Sequence, residues 1–121
     1  MKFIRSVLFA CHGIAWCRQQ LNFRLHLLAM LVAIAAGFYL KINGTEWIFV
    51  CLCCTLVLAM EMVNTAIEKI CDLVTIEIHP LIKIIKDVSA GAVLICALGS
   101  VFTAAIIFIP KIIIQIKLFS F

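Results

Sequence analysis

Charged residues are scarce in this chain: Asp, Glu, Lys and Arg together make up 13% of its 121 positions. Soluble domains carry about a quarter charged residues and about half apolar ones. Here 66% of the residues are hydrophobic, and the mean hydropathy is +1.25. This composition excludes an ordinary soluble domain and indicates a membrane protein, and the length supports one domain, residues 1–121.

The sequence also lacks the glycine-rich motifs of soluble nucleotide-binding proteins. Neither G-x-x-x-x-G-K-[ST] nor G-x-G-x-x-G occurs, which excludes the common soluble nucleotide-binding folds. Lys and Arg exceed Asp and Glu by ten to six, but no basic cluster is dense enough to predict a nucleic-acid partner. The excess indicates instead a basic rim that faces anionic lipid headgroups or nucleotide phosphates.

The seven cysteines are an odd number and most lie in apolar runs, so a disulfide framework is not expected. Cys51 and Cys54 form one C-x-x-C pair, with no second pair and no nearby histidine. Small buried hydrophobic side chains are the favoured interpretation, and a metal or redox site is the alternative.

The hydropathy pattern predicts an all-α membrane protein with one surface helix and three transmembrane helices. Residues 2–22 have apolar positions at helical spacing but too many polar groups for a span, which predicts an amphipathic helix at the membrane surface. Transmembrane helices are predicted over about residues 24–41, 45–74 and 82–109.

Turn and cap signals set the predicted boundaries. Residues 42–44 form a tight-turn signal, and Thr45 is the predicted N-cap of the second span. Pro80 suits the first turn of the third span, and Pro110 is predicted to end it. Residues 112–119 either extend that helix or lie at the interface, and the sequence leaves both alternatives open.

Positive residues are divided unequally between the two sides of the predicted bundle. Seven lie on one side and three on the other: Lys2, Arg5, Arg18, Arg24, Lys69, Lys83 and Lys86, against Lys41, Lys111 and Lys117. The positive-inside rule then predicts a multi-pass protein of the cytoplasmic (inner) membrane, with its N-terminus in the cytoplasm.

The second span carries a polar stripe where apolar residues are expected. At about 100° per residue, Glu61, Asn64, Thr65, Glu68 and Asp72 share one helix face. Ionisable groups at membrane depth are costly, and they normally mark a functional site. The alternative interpretation is helix packing, in which these groups form hydrogen bonds between spans.

The residue types in and after this stripe suit phosphoryl transfer, which needs a base, oxygen ligands for Mg²⁺ and cations for phosphates. Glu61 is the deepest carboxylate and suits a general base. Glu68, nearer to water, suits a hard-oxygen metal ligand. Lys86 is the expected phosphate partner, and Asp87 could anchor Lys86 or accept a hydrogen bond from the nucleotide.

Two other classes of function remain as alternatives. The stripe could relay protons or cations, although a conducting path should be polar throughout and residues 48–58 offer only Thr55 and cysteines. The chain could also be a non-catalytic helical scaffold. In the last helix, the small residues at 89–92 either allow close helix packing or leave room for a nucleotide.

The chain resembles a known family, the small prokaryotic integral-membrane lipid kinases that comprise diacylglycerol kinase and undecaprenol kinase. The resemblance is carried by Glu61-x-x-Asn64-Thr65-Ala66-Ile67-Glu68-x-x-x-Asp72 and by His79-Pro80-Leu81-x-Lys83-x-x-Lys86-Asp87-x-x-Ala90-Gly91-Ala92. It implies a homotrimer with sites shared between neighbouring subunits. It also implies transfer of the γ-phosphate of ATP, with Mg²⁺, to a lipid hydroxyl at the cytoplasmic interface. Conversion of diacylglycerol to phosphatidic acid is the expected reaction, and undecaprenol is the alternative acceptor.

The resemblance also implies roles for single residues by matching position. Glu61 would be the catalytic base, with Asn64 and Asp72 supporting the site. Contacts to the nucleotide are implied for Glu68, Glu77, His79, Lys86 and Asp87.

The implied metal site departs from the family pattern at one position. Many members carry a glutamate a few residues before the segment that matches Asn22-Phe23-Arg24, and here the corresponding residue is Gln20. Glu68 and Gln20 are therefore the expected Mg²⁺ ligands. A neutral amide oxygen can coordinate but supplies no charge, so we expect weaker binding of the ion.

Overall fold

The computed structural model describes residues 2–74 and 79–119, and the side chains of all of these except residue 119. All the regular structure in these ranges is helical, which confirms the predicted all-α class. The elements are α1 (Lys2–Cys17), α2 (Leu21–Tyr39), α3 (Gly44–Val74) and α4 (Pro80–Phe119).

Three of the helices are long and apolar enough to cross a membrane: Leu21–Tyr39, Gly44–Val74 and Pro80–Leu118, of 19, 31 and 39 residues. A bilayer core needs about 20 helical residues. α2 is close to that length, while α3 and α4 exceed it. α3 therefore has room for an apolar portion and for a polar end that reaches past the hydrocarbon core.

The surface helix ends at Cys17, earlier than the residue 22 expected from the apolar pattern. The chain turns there, because the backbone N–H of Gln20 donates to the carbonyl of Cys17 at 2.9 Å and Gln20 takes an extended conformation (φ −79°, ψ 133°). α2 consequently begins at Leu21. Most side chains of α1 are exposed, and Cys17 is its buried residue.

The N-terminus of α3 is capped by Asn43, so the expectation that Thr45 is the N-cap is wrong. The Asn43 side-chain oxygen accepts from the N–H of Glu46 at 2.9 Å, and the Glu46 carboxylate accepts from the N–H of Asn43 at 2.7 Å. This reciprocal pair is a capping box, in which two otherwise unpaired N–H groups find acceptors.

The predicted end of the last helix at Pro110 is also wrong, because α4 continues through Pro110 to Phe119. Proline removes one backbone donor and crowds the preceding turn. The residues after Pro110 are nevertheless mostly apolar, and the helix continues through them. An ion pair lies next to Pro110. Lys111 Nζ is 3.0 Å from Glu46 Oε2, and both side chains are about a quarter exposed. This ion pair joins α4 to the start of α3.

The packing places α3 at the centre. α3 packs most extensively against α4 and to a lesser extent against α2, while α2 and α4 contact each other little. A small core of Ile42, Val50 and Ile107 lies near the α2–α3 turn, with Trp47 and Phe108 packed against it. The polar stripe of α3 is therefore at the other end of the bundle from this core.

Candidate functional site

Glu61 is the most deeply placed carboxylate of the stripe, with only 3% of the residue exposed. His26 of α2 and Glu68 two turns further along α3 act on it electrostatically, and Glu61 in turn acts on the Cys17 thiol at the end of α1. Three helices thus contribute to its surroundings. Packing at this point removes the Glu61 side chain from water.

A hydrogen-bonded chain runs from α4 into the stripe. Ser89 Oγ lies 2.5 Å from Oδ1 of Asn64, and Nδ2 of Asn64 donates to Oε1 of Glu68 at 3.1 Å. Asn64 and Ser89 are 3% and 8% exposed, whereas Glu68 is half-buried. The amide therefore connects a buried hydroxyl to a carboxylate that solvent can still reach.

An ion pair joins the same two helices closer to water. Lys86 Nζ of α4 lies 2.6 Å from Oδ1 of Asp72 at the end of α3. Lys69 is also near Asp72, but at 4.0 Å its contact is the longer one. Since the Lys86 side chain is 38% exposed, its ammonium group is held at the acidic face of α3 and remains accessible to an anion.

Asp87 does not anchor Lys86, contrary to one of the expectations from sequence. Its carboxylate pairs with Lys83 one turn earlier, at 2.6 Å, and both side chains are largely exposed. The reason is helical geometry, because neighbouring positions point about 100° apart whereas positions four apart share a face. Asp72 is the residue that anchors Lys86.

His79 has a local structural contact. Its Nδ1 accepts a hydrogen bond from the N–H of Leu81 at 3.3 Å, and its carbonyl accepts from the N–H of Lys83 at 3.0 Å. The exposed histidine therefore caps the start of α4. Glu77, the other residue expected in this connection, lies outside the described residues.

Gln20 is the N-cap residue of α2, and its side chain makes no capping hydrogen bond. It lies three residues after the end of α1, and that end of α1 lies against the stripe-bearing part of α3. Cys17 is close enough to Glu61 to interact with it electrostatically, and the Trp16 ring centroid is 5.9 Å from Lys69 Nζ. Gln20 therefore lies at the same end of the bundle as the stripe.

Within residues 2–74 and 79–119, no group of three or more His, Cys, Asp or Glu side chains is close enough to hold a metal ion. Mg²⁺, however, is usually bound through one or two carboxylates together with substrate phosphates. Glu68 offers such a carboxylate, since one of its oxygens is engaged by Asn64 and the side chain is half-buried. The residues present fit an ion shared with phosphates.

Sequence reasoning missed the roles of Ser89 and His26. Ser89 was grouped with small packing residues, although it contributes a hydroxyl to Asn64. His26 lies on a different helix, close enough to act on Glu61 electrostatically, and periodicity within one helix carries no information about proximity between helices. For Ser89, the available signal was a hydroxyl three residues after Lys86, a spacing that places both residues on one helix face.

The fold and these contacts define a class: a helical membrane protein with carboxylates, an amide and a lysine gathered at one end of two packed helices. The model of the prokaryotic diacylglycerol kinase family matches residues 8–108 of the chain. The protein belongs to this family, which confirms the resemblance recognised in its sequence, and it is a lipid kinase.

Individual relatives carry two different names. The undecaprenol kinase of Bacillus subtilis is 36% identical over 113 residues, covering 92% of this chain and 91% of the relative. The diacylglycerol kinase of Synechocystis is 33% identical over 109 residues, covering 88% of this chain and 62% of the relative. The diacylglycerol kinase of Escherichia coli K12 is 28% identical over 108 residues, covering 88% of both.

Proposed function

We propose that the protein transfers the γ-phosphoryl group of ATP to the hydroxyl of a membrane lipid at the end of the bundle that bears Glu61, Glu68 and Lys86. The observation that carries the proposal is the meeting of α3 and α4 there. Asn64 lies against Ser89, and Asp72 against Lys86. A buried carboxylate, a half-buried carboxylate and an accessible ammonium group are thereby collected along one pair of helices.

Glu61 is the proposed general base. Its exposure is 3%, so it is shielded from bulk water, and the lipid hydroxyl would reach it from the bilayer side. The carboxylate would accept the proton of that hydroxyl as its oxygen bonds to the γ-phosphorus and the bond to ADP breaks. Exclusion of water also protects ATP from hydrolysis at this position.

The nucleotide is proposed to lie on the more exposed side of the stripe. Lys86 would contact the phosphates, with Asp72 fixing the direction of its side chain at 2.6 Å. Asp87 and His79 are exposed and near the start of α4, where they would contact the rest of the nucleotide, as Glu77 would. Asn64 supports the site by holding the Glu68 carboxylate.

Glu68 and Gln20 are the proposed ligands of Mg²⁺ in this chain. When bound with ATP, the ion neutralises negative charge on the phosphate oxygens. Gln20 brings an amide oxygen without charge, so Glu68 supplies the only negative charge in this pair of side chains. The proposal therefore assigns most of the protein's affinity for the ion to Glu68.

Two acceptor lipids follow from the names of the relatives. Diacylglycerol is the acceptor expected for this family, and undecaprenol is the second candidate, supported by the 36% identity to the Bacillus subtilis relative. The test is transfer of label from γ-labelled ATP to each lipid in detergent–lipid micelles. Label in phosphatidic acid or undecaprenyl phosphate supports the proposal and identifies the acceptor. Cation flux through vesicles without ATP, and no labelled lipid, would contradict it.

Glu68→Gln is expected to raise the Mg²⁺ concentration for half-maximal activity by about tenfold or more, since even outer groups that orient a ligand typically change metal affinity 10–100-fold. Glu46→Gln is the matched control, because Glu46 is a carboxylate at the opposite end of the same helix. Its Mg²⁺ titration should follow that of the original protein. An unchanged titration for Glu68→Gln would remove Glu68 from the metal site.

We further propose a homotrimer in the cytoplasmic membrane, with the N-terminus and the active site on the cytoplasmic side. The positive-inside distribution supports this orientation. Many large apolar side chains of α4 are more than half exposed, among them Ile95, Val101 and Phe102. Such a surface suits lipid on one side and neighbouring subunits on another.

A further inference from the structure

One hydroxyl group joins α4 directly to the acidic face of α3. Ser89 Oγ lies 2.5 Å from Oδ1 of Asn64 and 3.1 Å from the carbonyl oxygen of Lys86. A serine hydroxyl has a single proton to donate, so it donates to one of these acceptors at a time. The shorter distance favours Asn64, which lies on the other helix, over the carbonyl in the serine's own helix.

This donation holds the oxygen end of the Asn64 amide in place and agrees with the direction in which the amide points. The oxygen and nitrogen ends of an amide exchange places by rotation of the group. With Ser89 donating to Oδ1, Nδ2 faces Oε1 of Glu68 at 3.1 Å. In the opposite orientation Oδ1 of Asn64 would face Oε1 of Glu68. Two oxygens without a proton between them are unfavourable there, because Asn64 is only 3% exposed and water cannot replace the lost hydrogen bond. Glu68 therefore selects the orientation of the amide, and Ser89 holds the amide oxygen in place from the opposite side.

We propose that Ser89 is a positioning residue for Glu68, acting through Asn64, and that it sets how tightly the site holds the divalent cation that accompanies the nucleotide. The inference rests on the proposed function for the role of Glu68. With Oε1 held by Nδ2 of Asn64, the carboxylate keeps one orientation and its other oxygen stays available to a cation.

The expected size of the effect follows from the position of Ser89 in this chain of contacts. Groups that orient a metal ligand directly typically change affinity 10–100-fold. Because Ser89 acts through one intervening side chain, removing its hydroxyl should weaken cation binding by about five- to tenfold. The concentration of lipid for half-maximal activity should not change, because in the part of the chain that the structure describes Ser89 forms its hydrogen bonds with Asn64 and Lys86 and not with Glu61.

The experiment compares Ser89→Ala with Ser100→Ala in the full-length protein in detergent. Ser100 is on the same helix, and its hydroxyl donates to the carbonyl of Cys96 at 2.8 Å. Binding of Mn²⁺, which takes the same oxygen ligands as Mg²⁺, is measured by electron paramagnetic resonance with a non-hydrolysable ATP analogue. Ser89→Ala should bind Mn²⁺ about five- to tenfold more weakly, Ser100→Ala as the original protein does, and Ser89→Thr should restore tight binding.

A second comparison tests whether Ser89 acts through Asn64. Asn64→Ala alone should weaken Mn²⁺ binding, and adding Ser89→Ala to it should cause no further loss. A further loss that equals the effect of Ser89→Ala alone would overturn the proposal. Equal weakening in Ser89→Ala and Ser100→Ala would also overturn it, because loss of any helix hydroxyl would then be sufficient.

Two other outcomes separate this inference from the proposed function. If Ser89→Ala does not fold, Ser89→Cys is used instead, because it keeps a side chain of similar size with a weaker donor. A Ser89→Cys variant that binds Mn²⁺ as tightly as the original protein would overturn the proposal. If no lipid is phosphorylated but Ser89→Ala still weakens Mn²⁺ binding and Ser100→Ala does not, the proposed function fails while the role of Ser89 stands. If the original protein binds no Mn²⁺ with the nucleotide analogue, both fail.

Discussion

Asp72 and Lys86 carry the charges that join the acidic face of α3 to α4. Their 2.6 Å contact crosses from one helix to the next, and both side chains remain partly exposed, so the pair itself adds little to stability. The ion pair instead fixes the direction of the Lys86 side chain. An ammonium group held at the edge of the site is ready to contact phosphates without first being ordered.

Lys86→Met is expected to raise the KM for ATP by at least about tenfold, because a hydrogen bond to a charged group contributes about 1.5–3 kcal/mol. Lys86→Arg should recover part of that loss. Lys2→Met is the control, since this substitution removes the same charge from the exposed surface helix. Steady-state kinetics with varied ATP measures the effect. An unaltered KM in Lys86→Met would exclude contact between Lys86 and the phosphates.

The residue contacts divide into those that helix periodicity predicts and those it cannot. Lys83 and Asp87 are one turn apart, and their ion pair follows from spacing alone. The contact between Asn64 and Ser89 joins positions 25 residues apart. Its existence depends on the register of α4 against α3, which is set by packing along the interface of the two helices.

At the scale of single helices, local competition between signals decided the boundaries. Thr45 is a good N-cap by residue type, but Asn43 also forms the reciprocal contact with Glu46, and the capping box satisfies two donors where a simple cap satisfies one. The spacing from Asn43 to Glu46 was present in the sequence. The prediction that the last helix ends at Pro110 failed because a proline lowers helix stability without obliging the helix to end.

The α2–α3 hairpin depends on the close approach of Trp47 to Gly37. A Cβ placed on Gly37 would lie 2.8 Å from Cη2 of Trp47 and 3.0 Å from Cδ1 of Ile42. Gly37→Ala should therefore lower the free energy of unfolding by about 1–3 kcal/mol. Gly13→Ala is the control, because a Cβ there meets nothing within 4 Å. Denaturation in detergent followed by circular dichroism measures both, and equal stability of the two variants would contradict the packing argument.

At the scale of the whole molecule, composition alone was sufficient to predict the class. Low charge and three long apolar runs predict a helical membrane protein, and the three long helices confirm it. The spatial arrangement was less predictable, because apolar residues line almost every face of α2 and α4. Such helices carry no clear stripe to say which side packs inward.

The orientation in the membrane gives a prediction for the entire chain. With seven positive residues on one side of the bundle and three on the other, the N-terminus should be cytoplasmic and the end of α4 on the far side. Epitope tags at the two ends test this in spheroplasts of a bacterial host. Antibody should reach the C-terminal tag in intact spheroplasts and the N-terminal tag only after permeabilisation, and the reverse pattern would contradict the cytoplasmic position of the site.

The most direct test of the account is lipid phosphorylation from γ-labelled ATP by the original protein and by Glu61→Gln, in micelles containing diacylglycerol or undecaprenol. The account predicts labelled lipid with the original protein and a rate lower by a factor of about 10²–10⁴ with Glu61→Gln, while helix content is unchanged. A Glu61→Gln variant that phosphorylates lipid at the original rate would contradict the role of the buried carboxylate and the site built around it.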